Sequence, residues 1–289
     1  MLQCDIILTE QEKKGKMKMK KLFAAILSAA MLLSVASCSD SNAGSSDKTD
    51  WEYIEEKGTL VAGITLFEPM NYYDENGVLT GFETEFTRAV CEKLGVEPVF
   101  QEIDWQKKEI ELKSRTIDVI WNGLTVTEER KENMAFSTPY VRNKQVAVIK
   151  AENAEKYVDV ASMAGASMTA EDGSAGQTAI ETNEVLSQNA FVASAAQKDV
   201  LMEVKAGTTE IGVIDYVMAK ASIGEGTDYA DLVIVENVEL TPEEYAIGLR
   251  LEDTVTLEKV NAAIDELVAD GTLKALAEKY DLADVYAFN

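Results

Sequence analysis

The chain has 289 residues, with 27 Lys and Arg against 51 Asp and Glu for a net charge of −24. That length allows two modest domains with a core each, and that charge excludes binding nucleic acid through its phosphates. No histidine occurs, which removes imidazole metal sites and Ser-His or Cys-His nucleophilic catalysis.

Lys18, Lys20 and Lys21 precede an apolar run from Leu22 to Val35 that closes on Val35-Ala36-Ser37-Cys38. This is the layout of a secretory signal peptide, and the run is short for a membrane-spanning helix. The residues before Cys38 resemble a lipobox, the signal of bacterial lipoproteins, in which the cysteine becomes the lipidated N-terminus. A plain signal peptide or anchor helix with an incidental cysteine is the alternative. Met17 or Met19 is a more natural start than Met1. Residues 1–37 are thus assigned to a lipoprotein signal peptide and 38–50 to a flexible tether. Without residues 1–37, which hold six lysines and three acids, 21 basic and 48 acidic residues remain, a net charge of −27. An anionic membrane surface repels such a domain, so the lipid has to do the anchoring. Cys91 is then the one cysteine of the folded part, and no intrachain disulfide is expected there.

After the tether, residues 51–57 read as a short helix and 59–64 as a buried strand. Asp74-Glu75-Asn76-Gly77 is a turn signal. Phe82, Phe86, Ala89 and Val90 recur at helical spacing, so 82–94 is a helix. A strand at 97–101, a helix at 107–114 and a strand at 117–121 complete a βαβαβ half of the doubly wound kind. Residues 145–149 open a second region, with strands at 167–170, 190–192, 211–214 and 232–235 and helices near 176–186, 195–206 and 216–222. A strand at 245–249, a helix at 254–270 and a last helix at 273–280 close the chain.

The stretch Ile120-Trp121-Asn122-Gly123-Leu124-Thr125-Val126-Thr127-Glu128-Glu129-Arg130 carries the chemistry. Thr127 suits an N-cap, with Glu128 and Glu129 in the first helical turn. Gly123 lets a ligand approach the backbone, and Thr125 offers a hydroxyl and an N–H. Arg130 can swing back over the strand end as a carboxylate site, since open α/β sheets bind ligands beyond the carboxyl ends of their strands. A surface ion pair with Glu128 or a neighbouring acid is the other reading the residues allow.

Taken in order, Gly58-Thr-Leu-Val, Asp74-Glu-Asn-Gly, Thr80-Gly-Phe-Glu, Asp118-Val-Ile-Trp-Asn-Gly-Leu-Thr-Val-Thr-Glu-Glu-Arg, Phe136-Ser-Thr-Pro-Tyr and Asp270-Gly-Thr-Leu resemble one family. It is the polar amino-acid-binding proteins of bacterial ABC importers, extracellular solute-binding protein family 3, and the likeness covers nearly the whole chain after Cys38. The resemblance implies a type II periplasmic-binding-protein-like fold, with two doubly wound α/β lobes joined by a two-strand hinge. The first lobe would be 51–143 plus 243–289 and the second 144–242, with crossings near 142–145 and 238–242. It further implies that Arg130 holds the ligand carboxylate, helped by backbone N–H groups near Thr125 and in the turn of Ser174 and Ala175. Asp215 would hold the ammonium with the Gly123 carbonyl and the Thr125 hydroxyl, capping of the helix that follows being the alternative role. Phe67 and Trp105 would lie over the ligand side chain, or be core aromatics. The departures from the family pattern fall at Ile64-Thr65-Leu66, Ala170-Glu171-Asp172 and Trp121-Asn122. They leave the ligand side chain to Phe67, Asn71, Trp105, Trp121, Asn122 and Glu171, among which Asn71, Asn122 and Glu171 suit a polar or cationic group. The implied function is a lipid-tethered, monomeric receptor at the outer face of the cytoplasmic membrane, serving a permease and its ATPase, with no metal or cofactor. An enzyme on the same scaffold, such as a dehydratase or a cell-wall lytic enzyme, and a sensory ectodomain are the competing readings.

Overall fold

The computed structural model describes residues 49–288. The signal peptide, Cys38 and most of the tether lie outside the described residues. The first helix, Asp50–Lys57, opens with a capping box: the Thr49 hydroxyl accepts from the Glu52 amide, and the Glu52 carboxylate accepts from the Thr49 amide. Next comes β1 (Thr59–Ile64), then a hairpin of β2 (Tyr72–Tyr73) and β3 (Leu79–Thr80) around the 74–77 turn. The helix Phe82–Leu94 leads to β4 (Glu97–Glu102), β5 (Val119–Ile120) and β6 (Ala135–Phe136). The long β7 (Val141–Lys150) is followed by β8 (Ser167–Glu171), β9 (Ala190–Ser194) and β10 (Ile211–Asp215). A second long strand, β11 (Leu232–Tyr245), precedes β12 (Gly248–Leu249) and the helices Thr254–Ala269 and Thr272–Lys279.

These strands form two five-stranded sheets, ordered β4-β1-β5-β12-β6 and β11-β7-β10-β8-β9. In the first, β1 pairs in parallel with β4 and β5, while β12 runs antiparallel to β5 and β6. Phe82, Phe86 and Val90 on one helix meet Val260, Ile264 and Leu267 on another in the core that backs this sheet. Each such side chain, when fully buried, contributes about 1.5–3 kcal/mol. The second sheet has its own apolar cluster around Ile149, Met168, Ile180, Ile211 and Val213.

β7 and β11 tie the two lobes together. They pair antiparallel from Tyr245 opposite Val141 to Leu232 opposite Lys150, with register shifts between Ile234 and Thr241. At one end Val141 bridges Tyr286 and Tyr245 bridges Thr125, within the first lobe. At the other end β7 carries β10 and so the second sheet. Both strands are longer than their apolar runs predict, because the segment between the lobes is polar yet still laddered.

Two other expectations shift. The strand expected at 117–121 keeps only Val119 and Ile120, since the Asp118 carboxylate takes the Val61 amide (2.7 Å) and the Lys57 ammonium (2.5 Å). The strand expected at 245–249 splits, with Tyr245 closing β11 and Gly248–Leu249 forming β12. Cys91 is a free, buried thiol that burial pushes up to about 12, which makes it an inert core residue. Among the described residues no helix is long and apolar enough to cross a membrane.

Candidate ligand-binding cleft

The turn after β5 is held from beneath. Gly123 sits at φ +51°, and a Cβ there would meet the Phe67 ring at 2.5 Å, so the aromatic lies directly on the glycine. The Phe67 loop is pinned by reciprocal bonds between Phe67 and Asn71, at 2.7 and 2.9 Å. The Gly123 amide donates to Glu83 (2.8 Å), whose carboxylate also accepts from the Tyr140 hydroxyl and from Asn71 Nδ2 (3.0 Å). Burial pushes Glu83 up to about 7 despite these donors.

On this support, the Gly123 carbonyl, the Thr125 amide and the Thr125 hydroxyl have no hydrogen-bond partner among the described residues. Thr127 caps the next turn by accepting from the Arg130 amide (3.1 Å). That places the Arg130 guanidinium back over the turn, where Nη1 donates to the Thr125 carbonyl (2.8 Å). Nη2 reaches across to the Gly173 carbonyl of the second lobe (3.4 Å). Arg130 has no carboxylate partner among the described residues, and burial lowers the pKa of its guanidinium. The surface ion-pair reading is therefore not what the structure shows; Glu128 pairs with Lys131 instead, at 2.7 Å.

The second lobe answers with the 172–176 turn. Ser174 caps the helix Ala175–Thr182 by accepting from the Gln177 amide (3.2 Å). A Cβ at Gly176 would lie 2.8 Å from the Val213 carbonyl, so only glycine lets this helix start so close to β10. Its N-terminus faces the cleft beside Arg130, and a cavity of ≈ 670 Å³ is lined by Arg130, Thr125, Ser174 and Ala175 together.

Asp215 occupies the N-cap position of helix Tyr216–Ser222 without capping it. Its Oδ1 instead accepts from Asn143 (2.6 Å), Gln145 (2.9 Å) and the Tyr245 hydroxyl (2.5 Å), and its Oδ2 accepts from Gln197. Glu243 on β11 shares the same two amides, from Asn143 and from Gln145 at 2.9 Å. Burial and the neighbouring Asp215 raise the Glu243 carboxyl well above its ordinary range. This hinge cluster was not visible in the sequence, since Asn143, Gln145, Glu243 and Tyr245 lie on two strands about a hundred residues apart.

Three expected side-chain contacts are placed elsewhere. Trp121 is fully buried and packs edge-on against Phe86 at 5.0 Å, inside the lobe. Asn71 spends its amide on Glu83, Trp121 and Asn122, and its carbonyl accepts from Thr84 (2.7 Å). Asn122 is spent on the Thr65 amide (2.8 Å) and hydroxyl (2.6 Å). Trp121 and Asn71 brace the turn from within the lobe, and Asn122 ties it to the loop at Thr65. Phe67, Trp105 and Glu171 remain around the cleft, nearly buried. Sequence reading missed Lys108, whose buried ammonium donates to the Trp105 carbonyl (3.1 Å) and across the cleft to Gly173 (3.0 Å). Burial, then Arg130, lowers it to about 8.

A model of bacterial extracellular solute-binding proteins, family 3, matches residues 60–283. The chain belongs to that family. Among relatives, the L-cystine-binding protein TcyJ of Escherichia coli K12 is 31% identical over 241 residues, covering 80% of this chain and 86% of its own. An ABC uptake transporter substrate-binding protein from Streptococcus pneumoniae with bound histidine superposes with a TM-score of 0.75 at 31% identity, over 82% of this chain and 98% of that one. Tv2483 bound to L-arginine gives a TM-score of 0.77 at 25% identity, over 83% and 97%. As in other family 3 proteins, two lobes enclose the cleft described above.

Proposed function

We propose that this family 3 protein captures a polar α-amino acid between its lobes and delivers it to an ABC permease and its ATPase. One observation carries the reading: Arg130 lines the cleft with no carboxylate partner among the described residues, and the buried Asp215 stands at a helix N-cap that it does not cap. A zwitterion supplies the missing partner for each, and an unpaired buried charge costs several kcal/mol. The Thr125 amide and the helix N-terminus at Ser174 and Ala175 would join Arg130 on the carboxylate. The Gly123 carbonyl and Thr125 hydroxyl would join Asp215 on the ammonium, with Phe67 and Trp105 against the side chain. Relatives that bind cystine, histidine and arginine support a polar ligand.

The reading divides the chain into a first lobe of 51–143 plus 243–289 and a second of 144–242, rocking on β7 and β11. It also assigns Cys38 as a lipid anchor that holds a monomer at the outer face of the cytoplasmic membrane, and assigns the cleft to binding rather than catalysis. The test is thermal unfolding of ligand-stripped protein against the common L-amino acids and cystine. A ligand at 100 times its dissociation constant adds about 2.7 kcal/mol. A shift with one or a few amino acids, recovered unchanged afterwards, is expected. No shift with any of them, or turnover of the ligand, would sink the receptor reading.

A further inference from the structure

A second cavity, ≈ 550 Å³, adjoins the one beside Arg130 and shares Asp172 with it. Its walls come from both lobes, and four of its lining residues are acids, Glu102, Asp104, Glu171 and Asp172, against a single cation, Lys198. Acidic surface alone says little in a chain of this charge. Glu171 is different, because it is 4% exposed and its carboxylate has no hydrogen bond or ion pair among the described residues. Buried carboxylates are nearly always paired, and one left open at a cavity wall marks a partner still to come. We propose that this cavity is the subsite for the side chain of a cationic amino acid, whose guanidinium or ammonium pairs with Glu171.

The proposal rests on the amino-acid reading and narrows it. β8 ends at Glu171, one residue before the turn that holds the ligand carboxylate, so a side chain leaving the zwitterion clamp need travel only a short way to reach it. Trp105 lines the same cavity and offers an indole wall to the methylene stem. The groups acting on Glu171 are Asp215, Asp199 and Asp104, which disfavour its ionised form, and Lys108, which favours it. Burial dominates, and the carboxyl is pushed up to about 8 in the free protein. At pH 7 it is therefore mostly protonated, and an arriving cation displaces that proton and takes the carboxylate as its partner. A neutral side chain gains a hydrogen bond at most.

Calorimetry with L-arginine and its neutral isostere L-citrulline, at pH 7 in two buffers of different ionisation enthalpy, tests this. Arginine should bind at least about tenfold more tightly than citrulline. Its binding should release close to one proton, about 0.9 for a group titrating one unit above the working pH, while citrulline releases none. Glu171→Gln should erase both the preference and the proton, and Glu171→Asp should restore part of the preference. Citrulline or glutamine binding as tightly as arginine in the unmodified protein, L-cystine binding most tightly, or an arginine preference that survives Glu171→Gln would overturn it. If the amino acids bind but show that pattern, only the side-chain assignment falls. If none binds at all, the amino-acid reading falls and takes this proposal with it.

Discussion

Asp215 stands at a helix N-cap and leaves the cap bond unmade, although an Asp cap contributes about 1 kcal/mol. Its carboxylate instead gathers donors from the two hinge strands and from Gln197. Such an arrangement fixes the orientation of the carboxylate between the hinge strands and the helix start. Asp215→Asn is expected to weaken amino-acid binding by about 2–5 kcal/mol, the usual loss on removing one member of a buried charge pair. Arg130→Ala should cost a similar amount from the opposite wall. Titration calorimetry of both variants checks this, and unchanged affinity in either removes that residue from the clamp. Glu83 tells the complementary story, since it touches no proposed ligand atom yet holds the Gly123 amide and the Asn71 side chain. Glu83→Gln turns an N–H₂ group toward one of three donors, which should destabilise the fold by about 1–3 kcal/mol. Denaturant unfolding would show it as a lower midpoint at an unchanged slope.

At the scale of elements, the strand-turn-helix around Gly123 was legible because every signal in it is local. Thr127 caps as its type suggests, and the glycine adopts the positive φ that suits glycine best. The helix over 82–94 was equally plain from its apolar spacing, and it ends at Gly95 in the left-handed conformation. The hinge was not legible at full length, because residues 142–145 are all polar and 236–244 offer only Val238 and Leu240 as aliphatic side chains, too few to mark a strand. Their strand character comes from pairing with each other, which no local pattern reports. For the same reason Trp121 and Asn122 read as cleft residues: sequence fixes that they sit at a strand end, but not which side of it they face. The second-lobe turn offers the sharper prediction. Gly176→Ala would place a methyl 2.8 Å from the Val213 carbonyl and 3.0 Å from the Gln145 side chain, so the helix start must move away from β10. Binding should weaken by at least about tenfold, since small displacements of positioning groups are costly. An alanine variant with full affinity would mean that this turn does not hold the ligand.

Across the whole molecule, the unusual feature is how many carboxyls titrate above their ordinary range. Glu83 titrates at about 7 and Glu171 at about 8, while Glu243 is raised well above its ordinary range, all chiefly by burial. In the unfolded chain such groups titrate near 4.3. Between about pH 5 and 8 the folded protein therefore holds more protons than the unfolded one, and stability falls as pH rises through that window. The opposite sign applies to Glu210 and Asp270, which their lysine partners and hydrogen bonds lower to about 2. They strengthen the fold as pH rises from about 2 to 4.5, weakly, because both are solvent-screened. Lys108, lowered to about 8, adds stability only above that pH. The ligand-free protein should accordingly be most stable near pH 5 and lose on the order of 6 kcal/mol by pH 8 from Glu171 and Glu83 together, which urea unfolding at the two values would measure. Glu171→Gln removes one of these carboxyls, so the variant should outlast the parent at pH 8 and match it at pH 5. A parent protein as stable at pH 8 as at pH 5 would show that these carboxyls ionise without cost, and that the cleft is wetter than its burial implies.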